Sequence, residues 1–234
     1  MELLLAWLVH LYTALGVVLA FLAVISIEQG DFRSAFFLMA LAVALDATDG
    51  TLARAARVKE VIPWFDGEAL DGIVDYFNYV IVPALFLFRA SLLPPQDALW
   101  LAMLPLLASA YGFCQKSAKT ADHFFLGFPS YWNIVAFYLY VLKTPLWLNA
   151  FIVIALSALV FVPMKYIYPS RSPHFRIQTN VLGALWAVAV LYVMYTLPDP
   201  ARGLVLASLL FPAYYTALSL WLEYRRLSKS PSRG

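Results

Sequence analysis

Long apolar stretches dominate the sequence and most constrain its fold. Eight of them can be marked, and each has the length of a helix rather than of a strand. They cover approximately residues 3–27, 32–56, 66–90, 96–116, 129–143, 146–166, 176–197 and 200–226. A helix needs about 20 apolar residues to cross the hydrocarbon core of a bilayer. The pattern predicts an all-α polytopic membrane bundle of eight transmembrane helices, the fifth so short that it must tilt or merge with the sixth.

Composition excludes the water-soluble classes of protein. Hydrophobic residues form 63% of the chain and charged residues only 13%, against about 45–50% and about 25% in soluble domains. So few charges cannot coat a soluble globule, and a net charge of +2 is too small to indicate a nucleic-acid partner. No linker is long enough to separate domains, so we expect residues 1–234 to form a single integral membrane domain.

The distribution of basic residues predicts an orientation. The segments that connect the apolar stretches can be assigned alternately to the two sides of the membrane. Twelve of the sixteen Lys and Arg residues then fall on one side. Cytoplasmic loops of membrane proteins carry an excess of basic residues. We therefore expect both termini in the cytoplasm. The first stretch lacks a basic leader and a convincing cleavage site, which favours a retained span over a signal peptide.

Acidic residues within the apolar stretches mark a candidate site. Asp46 and Asp49 lie near the end of the second stretch, and Asp71 and Asp75 lie near the start of the third. A carboxylate at the centre of a membrane helix costs about 2.5–3.5 kcal/mol on insertion scales, so its presence indicates function by default. Helical spacing places each pair on one face. The two faces comprise Asp46, Asp49, Gly50 and Ala53, and Gly67, Asp71, Asp75 and Asn78.

Two such faces on neighbouring antiparallel helices predict metal-dependent phosphoryl chemistry. Four carboxylates in a poorly solvated cleft repel one another, and two hard cations such as Mg²⁺ or Mn²⁺ would neutralise them. Paired ions stabilise the attacking and leaving oxygens of a phosphoryl displacement. Gly50, Ala53 and Gly67 would clear space for a phosphorylated ligand, and Arg54 would bind its phosphate.

Two other interpretations of the acids are weaker. Aspartates that merely bracket a solvated loop would explain one pair but not two acidic faces. A divalent-metal transporter would also carry intramembrane acids, but near the middle of the bilayer and on broken helices. Here the acids gather at one end, beside glycines and an arginine placed for a phosphorylated ligand.

A motif across the second and third stretches resembles that of the CDP-alcohol phosphotransferase family. It runs Asp46-Ala-Thr-Asp49-Gly50-Thr-Leu-Ala53-Arg54 and continues as Gly67-x3-Asp71-x3-Asp75. The family usually has eight residues between the arginine and the second glycine, whereas this chain has twelve, residues 55–66. The longer spacer is similar to that of the bacterial phosphatidylcholine synthases, as are residues 56–61 and 123–133.

The resemblance implies a reaction, its cofactors and a set of site residues. CDP-diacylglycerol and choline would give phosphatidylcholine and CMP, with Mn²⁺ or Mg²⁺, at a bacterial inner membrane. Two metal ions would be held by Asp46, Asp49, Asp71 and Asp75, and Asp75 would also be the catalytic base. The CDP moiety would be bound by Asp49, Gly50, Ala53, Arg54, Gly67 and Asp71. The family pattern gives no role to Asp66 or Glu68, and a homodimer is an expectation from the family alone.

Choline recognition requires aromatic faces, because a quaternary ammonium group donates no ordinary hydrogen bond. Tyr131, Trp132 and Asn133 open the predicted fifth helix, and Trp64 and Tyr76 flank the motif, so these five are the candidate choline contacts. Aromatic side chains and spare acids near the motif favour a cationic acceptor over an anionic one. Glycerol phosphate, inositol phosphate and serine are the alternative acceptors within the same reaction class.

Overall fold

Helices form almost all of the described structure. The computed structural model describes residues 1–115, 124–167 and 176–229. The helices are α1 (Glu2–Glu28), α2 (Phe32–Ala55), α3 (Val58–Val61), α4 (Gly67–Tyr76), α5 (Val82–Arg89), α6 (Ala98–Cys114), α7 (Trp132–Val141), α8 (Leu146–Leu159), α9 (Arg176–Tyr195), α10 (Arg202–Ser208) and α11 (Leu210–Lys229). Two three-residue strands, β1 (Phe124–Leu126) and β2 (Lys165–Ile167), pair antiparallel. The predicted all-α class is confirmed.

Eight apolar helical segments occur in the described ranges, but they differ in length. Those long and apolar enough to cross a membrane are Glu2–Glu28, Phe32–Ala55, Gly67–Arg89, Ile177–Tyr195 and Arg202–Arg225. The other three, α6, α7 and α8, have 17, 10 and 14 residues. The chain is a multi-pass membrane protein. Its predicted fifth and sixth spans are separate helices, and both are shorter than the apolar stretches that predicted them.

The outward faces of the bundle are apolar. Leu107, Phe151, Leu185 and Val188 are 64–72% exposed and belong to three different helices. Exposed apolar area of this kind would cause aggregation in water. It is the expected surface where lipid tails are the solvent.

Aromatic rings join α2, α5 and α7 in the core. The ring centroid of Phe36 lies 4.5 Å from that of Phe86 and 5.2 Å from that of Phe137. All three side chains are at most 2% exposed. Rings at these separations contact each other directly, so this core holds the three helices in fixed positions.

Gly16 allows α1 to approach α4 closely. A Cβ atom at Gly16 would clash with Val74. Its carbonyl oxygen accepts a hydrogen bond of 2.9 Å from Nδ2 of Asn78. Small residues permit such close backbone approach between membrane helices. The contact fixes α1 across the helix that carries Asp71 and Asp75.

The longer spacer, residues 55–66, is folded against α1. Its short helix α3 and the following turn place Val58 and Ile62 in a buried cluster with Ala6 and Val9. Burial of these apolar side chains holds the spacer on the first helix. The spacer therefore builds a contact surface for α1 rather than an open loop.

Asp66 and Glu68 connect this spacer to α4. The carboxylate of Asp66 caps α4 by accepting a hydrogen bond of 2.9 Å from the backbone N–H of Ala69. An acidic N-cap of this kind stabilises the first turn of a helix. Glu68 forms an ion pair with Lys59 of α3. The structure thus gives roles in folding to two acids whose function the motif left open.

Three basic residues have acidic or aromatic partners at the end of the bundle where α1 and α5 finish, which we call the far end. Nε of Arg89 donates to Glu28 over 2.8 Å, and Nζ of Lys143 lies 3.9 Å from Asp199. The guanidinium group of Arg33 lies over a tyrosine ring at the end of α9, 5.0 Å from its centroid. These three basic residues belong to the minority side of the predicted topology and lie at one end of the bundle. The orientation of that end relative to the cytoplasm stays a prediction.

Candidate functional site

Three aspartates from two helices converge at the end of the bundle opposite these ion pairs. Asp46 and Asp49 lie on α2 and Asp71 lies on α4, and one carboxylate oxygen of each is within 4.8 Å of the other two. Asp49 is buried and the other two are half-buried. The oxygens are close enough to hold a metal ion. The predicted meeting of the two acidic faces is confirmed for these three residues.

Asp75 lies one helical turn beyond Asp71 on α4 and is half-buried. It is outside the group of three acids whose oxygens converge within 4.8 Å. Tyr79 lies four residues further along the same span. Asp75 is thus beside the acidic cluster, at a position distinct from its centre.

Hydroxyl groups orient two of the clustered acids. Thr13 of α1 donates from Oγ1 to Oδ2 of Asp49 over 3.0 Å. Tyr79 donates from its phenolic oxygen to Oδ2 of Asp46 over 2.7 Å. A hydroxyl donor fixes the direction of a carboxylate without cancelling its charge. The cluster is therefore held in place from α1 and from the third span.

A π-helical turn brings Tyr79 to the acids. The span Gly67–Arg89 is interrupted at Phe77–Ile81 by one wide turn, a feature that often occurs at functional sites. Asn78, expected on the acidic face, donates instead to backbone carbonyls, including that of Gly16. The adjacent Tyr79 is the residue that contacts an aspartate of the cluster.

Gly50 and Arg54 lie together near the end of α2. A Cβ atom at Gly50 would lie 3.4 Å from Nη1 of Arg54. The other terminal nitrogen of Arg54 donates to Oγ1 of Thr51 over 2.9 Å, and the side chain is exposed. The guanidinium group therefore follows the surface of α2. Its predicted contact with a ligand phosphate stays a prediction.

Ala53 and Gly67 have protein neighbours that account for their small size. Ala53 packs against the cluster between α1 and α3. A Cβ atom at Gly67 would lie 2.8 Å from Cε1 of His10, closer than ordinary contact allows. Close packing against His10 therefore favours a glycine at position 67 whether or not a ligand approaches. The predicted binding of the CDP moiety by both residues stays a prediction.

Trp132 and Asn133 begin α7 and are buried. Trp132 is 0% exposed, and its indole N–H donates to Oγ of Ser109 over 2.9 Å. Oδ1 of Asn133 accepts a hydrogen bond of 2.9 Å from the backbone N–H of Ile134. These contacts give both residues a structural role at the start of α7. Contact with choline stays a prediction for both.

Trp64 and Tyr76 lie in contrasting environments. Trp64 is 74% exposed at the turn that precedes α4. Tyr76 donates from its hydroxyl to the carbonyl of Leu106 over 2.7 Å, and its ring lies 5.6 Å from that of Phe113. Tyr76 thereby attaches α4 to α6. Binding of choline by either residue stays a prediction.

Tyr131 lies between the acidic cluster and α11. Its ring centroid is 6.4 Å from that of Tyr79 and 6.4 Å from that of Tyr215. Since Tyr79 also bonds to Asp46, a series of tyrosines leads from the acids to α11. The family-like string that contains Tyr131 begins at His123, which lies outside the described residues.

Comparison with known proteins reveals relatives along nearly the whole chain. The chain is 38% identical over 232 residues to the phosphatidylcholine synthase of Legionella pneumophila, covering 96% of this chain and 91% of that protein. It is 36% identical over 222 residues to the phosphatidylcholine synthase of Pseudomonas aeruginosa, covering 94% and 92%. The phosphatidylcholine synthase of Borreliella burgdorferi is 34% identical over 228 residues, covering 96% and 97%. The chain belongs to the phosphatidylcholine synthase family. No protein-family model matches it.

The acidic cluster of this phosphatidylcholine synthase family member is compatible with a divalent metal site. Carboxylate oxygens are the ligands that hard cations such as Mg²⁺ and Mn²⁺ prefer. Asp49 is 6% exposed and lies against two further carboxylates. Charge buried beside like charge is costly unless a cation or protons neutralise it. The three carboxylates and their burial therefore fit a divalent metal ion.

Sequence analysis missed three residues around the acids. Tyr79 is four residues after Asp75, so the helical spacing that identified the aspartates also marks it. Thr13 and Tyr215 lie in apolar stretches of α1 and α11 without any local signal. Their positions depend on which helices are neighbours, and that information is absent from the pattern of a single helix.

Proposed function

We propose that this chain transfers the phosphatidyl group of CDP-diacylglycerol to choline and releases CMP. The observation that carries the proposal is the convergence of Asp46, Asp49 and Asp71 within 4.8 Å in a member of the phosphatidylcholine synthase family. The apolar outer surface supports a lipid substrate, because the acyl chains can stay in the bilayer while the head group reaches the acids.

The acids would hold two divalent ions, Mn²⁺ or Mg²⁺. Asp46, Asp49 and Asp71 are close enough for one site, and Asp75 on the next turn of α4 would complete the second. Bound ions would supply charge stabilisation at the phosphates of the substrate. Thr13 and Tyr79 would hold their carboxylate partners in the required directions.

Residues along the ends of α2 and α4 would bind the CDP moiety. Arg54 is exposed beside Gly50 and would pair with a phosphate oxygen of the nucleotide. The proposed contacts are Asp49, Gly50, Ala53, Arg54, Gly67 and Asp71.

Asp75 would act as the general base for the acceptor. Its carboxylate would take the proton of the choline hydroxyl as the choline oxygen attacks the phosphorus that carries diacylglycerol. A new bond forms between that oxygen and the phosphorus, and the bond from the phosphorus to the oxygen of CMP breaks. The proton stays on Asp75 and is then released, so atoms and charge balance.

The membrane arrangement follows from the same proposal. We place the chain in a bacterial inner membrane, with both termini and the acidic end in the cytoplasm, where choline would arrive. Residues 1–234 would form one domain. A homodimer is the expectation from the family, and cross-linking in native membranes would test it.

The decisive experiment offers purified protein CDP-diacylglycerol together with a panel of acceptors. We expect release of CMP with choline and not with glycerol 3-phosphate, inositol phosphate or serine. A chelator should abolish the activity, and added Mn²⁺ or Mg²⁺ should restore it. The Asp49→Asn protein, purified in parallel, provides the inactive control.

Each part of the proposal can fail separately. Turnover of an anionic acceptor at the rate of choline would overturn the choice of acceptor but not the reaction class. Full activity in chelator would overturn the role of the metal. Metal uptake by proteoliposomes without any release of CMP would favour a divalent-metal transporter.

A further inference from the structure

Three tyrosines from separate elements lie in series beside the acids. Tyr79 comes from the π-helical turn, Tyr131 from the segment before α7, and Tyr215 from α11. Neighbouring ring centroids are 6.4 Å apart, with interplanar angles of 58° and 64°. We call Tyr79, Tyr131 and Tyr215 the tyrosine row. It is assembled from parts of the chain that are far apart in sequence.

The tyrosine row differs from the aromatic core in spacing and in exposure. Core rings such as Phe36 and Phe86 are 4.5 Å apart and at most 1% exposed. The rings of the row are half-buried, and their separation lies near the outer end of the range of about 4.5–7 Å for paired rings. They are therefore not tightly stacked on one another, and each residue keeps some accessible surface.

The spacing of the row suits a cation. A cation is attracted by an aromatic face when it lies within about 6 Å of the ring centroid. Two centroids that are 6.4 Å apart leave positions on their shared side that satisfy this limit for both rings. The steep angles between the rings allow adjacent faces to turn toward such a position.

The row also begins where the acceptor must react. Tyr79 donates a hydrogen bond of 2.7 Å to Asp46, so the first ring adjoins the acidic cluster. Asp75, the proposed base, is four residues before Tyr79 on the same span. In choline only an ethylene group separates the hydroxyl from the quaternary nitrogen. A site for the nitrogen must therefore lie beside the carboxylates.

We propose that the tyrosine row is the subsite for the quaternary ammonium group of the acceptor, with Tyr131 and Tyr215 as its principal walls. This inference rests on the proposed function and adds a contribution from α11, outside the aspartate motif. Of the five predicted choline contacts, it keeps Tyr131, which is half-buried, and leaves out the adjacent Trp132, which is buried.

Substitution of each wall residue tests the subsite through the Michaelis constants of the two substrates. Tyr131→Leu and Tyr215→Leu remove an aromatic face and should each raise the KM for choline by about five- to thirty-fold. The KM for CDP-diacylglycerol should stay nearly unchanged. Tyr131→Phe and Tyr215→Phe keep the face and should raise the KM for choline much less.

Tyr195→Leu is the matched control. Tyr195 lies at the far end of α9, where its ring contacts Arg33. The variant therefore makes the same Tyr→Leu change at a position distant from the acids. It should leave both Michaelis constants unchanged. Thermal unfolding of every variant in detergent should show that the Leu proteins are folded.

A neutral isostere provides a measurement that needs no variant. In 3,3-dimethylbutanol a carbon replaces the nitrogen of choline, so shape is kept and charge is removed. In the unaltered protein, the inhibition constant of the isostere should be at least about tenfold higher than the dissociation constant of choline. The difference should shrink in Tyr131→Leu.

The outcomes separate the subsite from the proposed function. Absence of CMP release with choline by the unaltered protein would refute the function itself. An active protein that binds the isostere as tightly as choline would overturn the tyrosine subsite alone. So would Leu variants that change both Michaelis constants equally, or Phe variants as impaired as the Leu variants.

Discussion

Carboxylates have different neighbours at the two ends of the bundle. At the far end, Glu28 and Asp199 face the cationic side chains of Arg89 and Lys143. At the site end, Asp46, Asp49 and Asp71 face one another, within 4.8 Å. The first arrangement neutralises charge within the chain, and the second concentrates it.

The hydrogen bonds of the clustered acids reinforce this difference. Thr13 and Tyr79 donate hydroxyl hydrogens to Asp49 and Asp46, and a hydroxyl orients a carboxylate while its charge persists. The far end has thus the features of a structural cap and the site end those of a ligand site. Substitutions of acids at the site end should therefore reduce activity, whereas those at the far end should leave activity unchanged.

The largest expected effect is loss of activity in Asp49→Asn or Asp71→Asn. Each change removes an anionic oxygen from the cluster while the shape of the side chain is kept. Substitution of residues that merely support metal ligands typically costs about 10–100-fold, so loss of a ligand should cost at least about 100-fold. CMP release measures the effect, and membrane expression should persist. A variant with near-normal turnover would contradict the metal-ligand role.

A smaller effect is expected for Tyr79→Phe. The change removes the hydrogen bond to Asp46 but keeps the ring. The concentration of Mn²⁺ or Mg²⁺ that gives half-maximal activity should rise by about 10–100-fold, and activity should recover at high metal concentration. Tyr76→Phe, which removes a hydroxyl bonded to a backbone carbonyl on α6, is the matched control. An unchanged metal requirement in Tyr79→Phe would show that Asp46 needs no such support.

The smallest effect is expected at the far end, in Glu28→Gln. The two side chains of the ion pair with Arg89 are 45% and 41% exposed, and exposed pairs contribute little to stability. Turnover and both Michaelis constants should stay unchanged, with at most a small decrease in the unfolding temperature in detergent. A loss of activity comparable to that of Asp71→Asn would remove the contrast between the two ends.

Sequence patterns predicted the elements of the fold and the acidic faces because both depend on spacing within one helix. The apolar stretches locate the helices, and the i, i+3 and i, i+4 rules locate Asp46, Asp49 and Asp71. Helix ends were less predictable. Residues 129–131 belong to an apolar stretch, yet α7 begins only at Trp132, after Pro129 and a residue of positive φ, Ser130.

Contacts between helices could not be predicted in the same way. Trp132 and Tyr131 are adjacent aromatic residues in one string, and no sequence pattern distinguishes which of them is buried. The rotation of α7 in the bundle buries Trp132 against Ser109 and leaves Tyr131 beside Tyr79. Lipid tails and helix interiors are both apolar, so hydrophobicity gives no information about which face turns inward.

The shortness of α7 has a consequence for the depth at which a reaction can occur. The turn between α7 and α8 is level with the far end, since Asn149 bonds to the carbonyl of Leu92, beyond α5, and Lys143 meets Asp199, beyond α9. From that level α7 extends only about 15 Å, whereas α9, with 20 residues, extends about 30 Å.

At the site end, α7 therefore stops about 15 Å short of the start of α9, and the chain before it is non-helical. Polar groups of this backbone find partners within the protein, as where the N–H of Gly127 donates to the carbonyl of Met164 over 2.9 Å. Such backbone is stable at membrane depth when it is enclosed by protein or lines an aqueous cavity. Tyr131, which directly precedes α7, therefore lies near the middle of the length of α9, so a ligand that contacts this ring is held below the level at which α9 begins.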